Sequence, residues 1–599
     1  MPGAIVINSQ IGAVLMNIHH HRHVRRSLAA SGLGLIAAVV LVVLIGPLEV
    51  LAGSPVCNNG ACDLLDTTVQ DFGTGQFYLS GLHSQGDGEV RLLPIGVSGA
   101  WVTDTYHLPA ARAELSVVSY QGILYAIGGF DSSGAVRSEI NAATTTFGGP
   151  IASPGWQLAD TMPSARASAA AVISPTQNGG FLYVLGGTTD GNPSYTTTIV
   201  YKAINSSGAL IGAWQTATLP PDQSSAAPLV YLQTVVHGGY LYVLGGQDNS
   251  WSPPLIVDSI FRAPIAANGS LGAWVPEVSI PADGGQAGRM AFAAVVGSSA
   301  GDTDYLYVIG GQAPSSNGNV DVAFIDSAPF NEDGSLGAFS SQQPLSTLLH
   351  GLSGVQQGGQ ILMTGGNQAA DGSKPSNNTE TALITATSGV LNGGAQWTAA
   401  SSLPQARFYH GSAVNSGGNI YVVGGDAAGS AATNTVYENS FGGSGASYAQ
   451  AGSYTSRIID FGGSYPVRAL RWNTDITGGT ETMTMQYRAA ATAGALLSQP
   501  WLTTTNSAVG VGVTTTFFFS GVTANVFQYQ VLLTTTDQTQ SPSLNAVDLH
   551  YGTSTTAVTL AGISARPVDD RANLATIALS GMGLAALGGL SFMRRSGRR

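Results

Sequence analysis

Six times between residues 124 and 425 a short apolar run ends in two adjacent glycines, which leaves few folds open to the chain. The copies are Leu124–Gly129, Leu182–Gly187, Leu241–Gly246, Leu306–Gly311, Ile361–Gly366 and Ile420–Gly425. Their first glycines stand 58, 59, 65, 55 and 59 residues apart, so each copy marks one structural unit. The run is apolar at consecutive positions, as in a strand covered on both faces, and four residues before a glycine pair are too few for a helix. Glycine at that point permits positive φ and lets neighbouring backbone approach closely.

A large aromatic residue recurs with the runs, at Trp101, Trp156, Trp214, Trp274, Phe339 and Trp397. One per unit suits the filling of a wedge between neighbouring sheets. Small sheets stacked around a ring bury their inner strands on both sides, and a β-propeller supplies that environment. A proline followed three residues later by arginine also recurs, at Pro109 to Arg112, Pro163 to Arg166 and Pro404 to Arg407. Glycine pair, aromatic and arginine in fixed order resemble the kelch repeat over residues 90–440, although repeats three and five lack the arginine.

That resemblance implies six blades, with Arg112, Arg166, Arg289 and Arg407 near one mouth of a central channel. His410 and Tyr409 follow Arg407, and His350 stands where repeat five would place its arginine. Guanidinium groups there suit a carboxylate-bearing sugar or peptide. The alternative is that each arginine ties down its own blade by bonding backbone carbonyls. Trp251, in the polar loop Asp248–Pro254, is off the repeat pattern and is a candidate contact for sugar or protein. Ring closure is expected from Glu89–Leu93, pairing in the blade of Ile420–Val423 and leaving Thr435–Glu438 peripheral.

Kelch propellers outside the cell include copper radical oxidases and six-bladed sialic acid mutarotases. The oxidases need a cysteine inside the propeller, and the only two here, Cys57 and Cys62, precede it. They read as a short disulfide staple in an exported protein. For a mutarotase, Glu114 and His410 are the acid/base candidates. No paired carboxylates, serine nucleophile motif or zinc spacing stands out, so no cofactor and no metal is expected. Asp131, Asp190 and Asp248, in the loops after glycine pairs, read as turn formers.

Beyond the repeats, Arg457–Phe461, Val467–Trp472, Thr482–Tyr487, Thr514–Phe519, Val526–Leu533 and Ala546–Tyr551 alternate or are β-branched, the pattern of a jelly-roll-like β-sandwich. The ends differ again. Basic residues up to Arg26 precede an apolar run from Leu28 to Ile45, a signal peptide or an uncleaved anchor. Leu574–Met593 is an uncharged apolar stretch ahead of a basic tail, the pattern of a membrane-spanning helix.

The expected chain is therefore all-β with apolar helices at both termini. It divides into a signal or anchor (1–53), an N-terminal strand or linker region (54–88), a six-bladed propeller (89–445) and a β-sandwich (450–552). A linker (553–573), a membrane helix (574–593) and a cytoplasmic tail (594–599) complete it. The net charge of −12 argues against a nucleic-acid partner. The expected function is a membrane-anchored cell-surface binding or adhesion protein for glycan or protein. A carbohydrate-active enzyme of mutarotase type and a structural spacer are the alternatives.

Overall fold

The computed structural model describes most of residues 56–552; residues 1–55, 67–75, 83–89, 442–447, 553–599 and a few shorter loops lie outside the described residues. Both expected apolar termini, the linker and the basic tail fall outside. Among the described residues, no helix is long and apolar enough to cross a membrane.

Six antiparallel sheets of four strands follow one another along the repeats. In the first, Ser116–Tyr120, Ile123–Ile127, Glu139–Thr144 and Gln157–Thr161 pair in chain order. The six first strands touch in cyclic order, and Gly411–Val414 of the sixth sheet returns to Ser116–Tyr120. This is the strand arrangement of a β-propeller.

The glycine pair explains how neighbouring sheets lock. The second glycine's N–H donates to a carbonyl of the segment leading into the next sheet, at 2.7 to 2.9 Å. The acceptors are Arg166, Leu229, Arg289, Leu349, Arg407 and, closing the circle, Arg112. At the first glycine φ is positive, and a Cβ there would collide with that same carbonyl oxygen. The motif tyrosine makes a second tie, because a buried hydroxyl needs a partner. Tyr183 and Tyr307 donate to Gly269 and Gly389 in the following sheet, at 2.6 and 2.7 Å, and Tyr421 donates to Gly149 of the first sheet at 2.8 Å.

Ring closure differs from the sequence expectation. Val436–Ser440 pairs with Asn419–Val423 as the third strand of the sixth sheet, and Val102–Thr103 adds the fourth. An N-terminal strand does complete the last sheet, but it is the one just after Trp101. The same offset holds throughout, since each blade aromatic introduces or lies in the outermost strand of the sheet before it, as Trp156 does for Gln157–Thr161. Trp101 donates its indole N–H to Ser401 O at 2.7 Å, bridging to the fifth sheet.

Glu89–Leu93 belongs elsewhere: Val90–Leu92 pairs with Ser543–Gly552, in the C-terminal β region. Ala61–Asp66 also pairs with Ser543–Gly552, and Gln76–Tyr78 pairs with Ala451–Thr455. The N-terminal strand or linker region, 54–88, therefore supplies strands to the domain assigned to 450–552, and the propeller is inserted between the two. The long strand Ile459–Ile476 pairs first with Thr523–Thr535 and then with Ser543–Gly552, passing from one sheet to another. Trp472, Leu549, Tyr529 and Val531 meet in one core between them. All six segments expected as strands are extended there, but Arg457–Phe461 and Val467–Trp472 fall on the single strand Ile459–Ile476, so they make five strands. In the N-terminal hairpin Cys57 stands opposite Cys62, which is disulfide-bonded.

Candidate functional site

Two residues beyond each lead-in position named above, the backbone makes a second and tighter circle. Glu114 N–H donates to Tyr409 O, Tyr409 to Gly351, Gly351 to Ala291, Ala291 to Tyr231, Tyr231 to Ser168, and Ser168 back to Glu114 O. All six bonds lie between 2.7 and 3.0 Å. All six residues have φ between 50 and 59°, although only one is glycine. Left-handed backbone at five non-glycine residues is held because the ring overdetermines it, and such residues gather at functional sites.

The ring residues and their successors line a cavity of about 90 Å³ at this end of the inner strands. Its polar groups are Glu114, Ser168, Tyr231, Gln233, Tyr409 and His410. Ser168 Oγ donates to Glu114, and Tyr231 hydrogen-bonds to both. Tyr231 and Tyr409 stack at 5.4 Å, 27° from parallel. Burial pushes the Glu114 carboxyl up to about 7 against its hydrogen bonds, and Asp426 nearby adds to the rise. Burial likewise pushes Asp426 up to about 6. Behind Tyr409, His350 Nδ1 lies 2.9 Å from Asp321 Oδ1.

The arginines are engaged elsewhere. Arg112, Arg166, Arg289 and Arg407 are at most 3% exposed, and each guanidinium turns into its own sheet. Nη1 of each donates to the first glycine of the pair: to Gly128 O at 3.2 Å, Gly186 O at 2.8 Å, Gly310 O at 3.2 Å and Gly424 O at 2.8 Å. Nη2 reaches a side chain at the start of the third strand, respectively Asn141, Thr198, Asp326 and Thr435. None of the four lines the cavity. Each is a rivet between sheets, its carbonyl held by one blade and its side chain by the next. Leu229 and Leu349 fill the equivalent places in the third and fifth blades, so His350 is one residue beyond the arginine position.

His410 does line the cavity, but as a buried neutral ring. Desolvation beside Arg407 pulls it down to about 3, and Nε2 lies 2.9 Å from Thr364 Oγ1. Trp251 sits in the turn between Gln247–Asp248 and Leu255–Ile256, 46% exposed. Gln247–Asp248 pairs with Leu229–Val230, directly before Tyr231, so this hairpin rises beside the ring.

The riveting role sets an expectation for Arg407. Arg407→Leu keeps volume, as Leu349 does in the fifth blade, but leaves Gly424 O and Thr435 without their buried donor. We expect a loss of roughly 3 kcal/mol in urea unfolding, with ligand affinity at the mouth unchanged. Lost affinity at full stability would return the arginine to the site.

No family model matches the chain. It is similar to two curated proteins of Limulus polyphemus. Beta-scruin is 25% identical over 271 residues, 41% of this chain and 26% of that protein. Alpha-scruin is 24% identical over 215 residues, 36% of this chain and 20% of that protein. Scruins are kelch-repeat proteins. The repeat is supported as kelch-type. The chain spans about a quarter of the first relative's length and a fifth of the second's. A solved structure of YjhT aligns with a TM-score of 0.39 and 16% identity, covering 55% of this chain and 95% of that one.

Proposed function

We propose that this kelch-type chain is a membrane-anchored cell-surface binding protein. On this reading the ring mouth of a six-bladed propeller meets a glycan or protein outside the cell, and a β-sandwich domain carries it. The observation that supports the reading is the polar cavity at the backbone ring. Enclosed small-molecule sites run to about 300–1,000 Å³, whereas this one holds about 90 Å³. Such a site grips one protruding group of a larger ligand. A polar lining also favours binding over a purely structural spacer.

One observation favours a second reading, of a mutarotase-type enzyme. The Glu114 carboxyl, raised to about 7, has the acidity of a general acid/base at neutral pH. The two separate in one experiment on the purified ectodomain. Glycan and protein arrays should give a saturable ligand, while exchange between sugar anomers followed by NMR stays at the uncatalysed rate. Trp251→Ala should weaken that binding about tenfold, the usual loss for an aromatic anchor. Anomer exchange that depends on Glu114 would move the assignment to the enzyme.

A further inference from the structure

We propose that the mouth cavity takes a single protonated amine on a narrow stem, the group a lysine side chain presents. This rests on the reading above that the ring mouth is the ligand site.

The lining carries a carboxylate and no cationic side chain to offer an anion. Every ring N–H is spent on the next ring carbonyl, so the backbone presents no anion nest. The four rivet arginines turn away into their own sheets, and no lysine or arginine lines the cavity. Carboxylates approach instead: Glu114 in the ring, Asp426 acting on both Glu114 and Tyr409, and Asp321 acting on Tyr409. Two imidazoles complete the surroundings. His350 is engaged by Asp321, while His410 is buried and neutral, with Nδ1 left without a hydrogen-bond partner.

An ammonium group supplies what this lining lacks. It carries three donors for the Glu114 carboxylate and the hydroxyls around it. The stacked Tyr231 and Tyr409 rings add aromatic faces, which attract cations. The volume admits a cationic head and a short stem but excludes a sugar ring.

Proton linkage fixes the sign of the pH dependence. The ionised Glu114 binds the cation, and its carboxyl titrates near 7 when the site is empty. Affinity should therefore be full above pH 8 and fall about tenfold per unit well below 7.

The test uses n-butylammonium, 1-butanol and butyrate, titrated into the ectodomain and followed by NMR. Butylammonium should bind at pH 8 and lose affinity from pH 7 to pH 5. Butanol should bind at least tenfold more weakly, and butyrate not at all. Glu114→Gln, nearly the same in shape, should abolish both the preference for the amine and its pH dependence. Tyr409→Phe keeps the aromatic wall but removes one acceptor, so it should weaken amine binding less than Glu114→Gln does and keep its pH dependence. Nα-acetyl-lysinamide should bind and glucosamine, whose amine sits on a bulky ring, should not. Butyrate binding, pH-independent binding or an unchanged Glu114→Gln would overturn the proposal, as would no binding of any amine. A glycan or protein ligand held at the mouth but not displaced by butylammonium would sink this inference alone and leave the binding-protein reading standing.

Discussion

Gly128→Ala should cost at least about 4 kcal/mol, or prevent folding altogether, although it adds a single methyl group. Three effects add at that position. φ is +59°, where any residue with a Cβ is strained. The new Cβ would overlap the carbonyl oxygen of Arg166, which is backbone and has no rotamer to escape into. That same oxygen accepts the Gly129 N–H at 2.8 Å, so moving it away breaks the bond joining the first blade to the second. Because these bonds run in a closed circle through all six blades, relief at one joint must be taken up by the others. Gly134 is the control: its φ is +80°, but nothing lies within 4 Å of the added Cβ. Gly134→Ala should cost only about 1 kcal/mol. Equal losses in the two variants, measured by urea unfolding, would show that conformational strain alone explains the pair and that blade-to-blade contact does not.

The glycine pairs were legible because their constraint is local: the same collision recurs in every blade and leaves the same two residues behind. The blade aromatics were legible for a related reason. What the sequence concealed was partnership between distant segments. Val102–Thr103 is only two residues long in its strand, too short for periodicity to distinguish it from the β-rich Glu89–Leu93. The ring site was hidden differently. Glu114, Ser168, Tyr231, Ala291, Gly351 and Tyr409 share backbone conformation but no side-chain type, so no repeat signal marks them. Their constant offset of two residues from the lead-in position is the one signal that marks them all. Ser168 and Ala291 stand two residues past an arginine but carry no ionisable group to mark them, and Tyr231 and Gly351 follow leucines. The arginine recurs for architecture, whereas the ring side chains vary from blade to blade.

Residues 450–552 expressed alone should be insoluble or lack cooperative unfolding, while residues 56–93 joined to 449–552 through a turn of a few residues should fold. The first fragment lacks the strand Ala61–Asp66, which flanks Ser543–Gly552, and the strand Gln76–Tyr78, which flanks Ala451–Thr455. It also loses Asp66, buried at 0% exposure. One Asp66 oxygen accepts from both terminal nitrogens of Arg457 at 3.1 Å, and the other accepts the Tyr529 hydroxyl at 2.7 Å. Without it a largely buried guanidinium and a buried phenol face no carboxylate, a loss of about 3–5 kcal/mol by itself. The joined chain restores all of this. Its junction is short, because Ala449 N–H already donates to Leu93 O at 2.9 Å across the ends of the inserted propeller. A turn of a few residues can replace the whole insertion, as expected where a domain enters and leaves at neighbouring points. The propeller should survive separation too, since Val102–Thr103 pairs with Tyr437–Glu438 within residues 101–441. A cooperative thermal transition in the 450–552 fragment would show that the N-terminal strands only decorate a self-sufficient domain. In that case the chain would be two sequential domains with a strap, not one domain inserted into another.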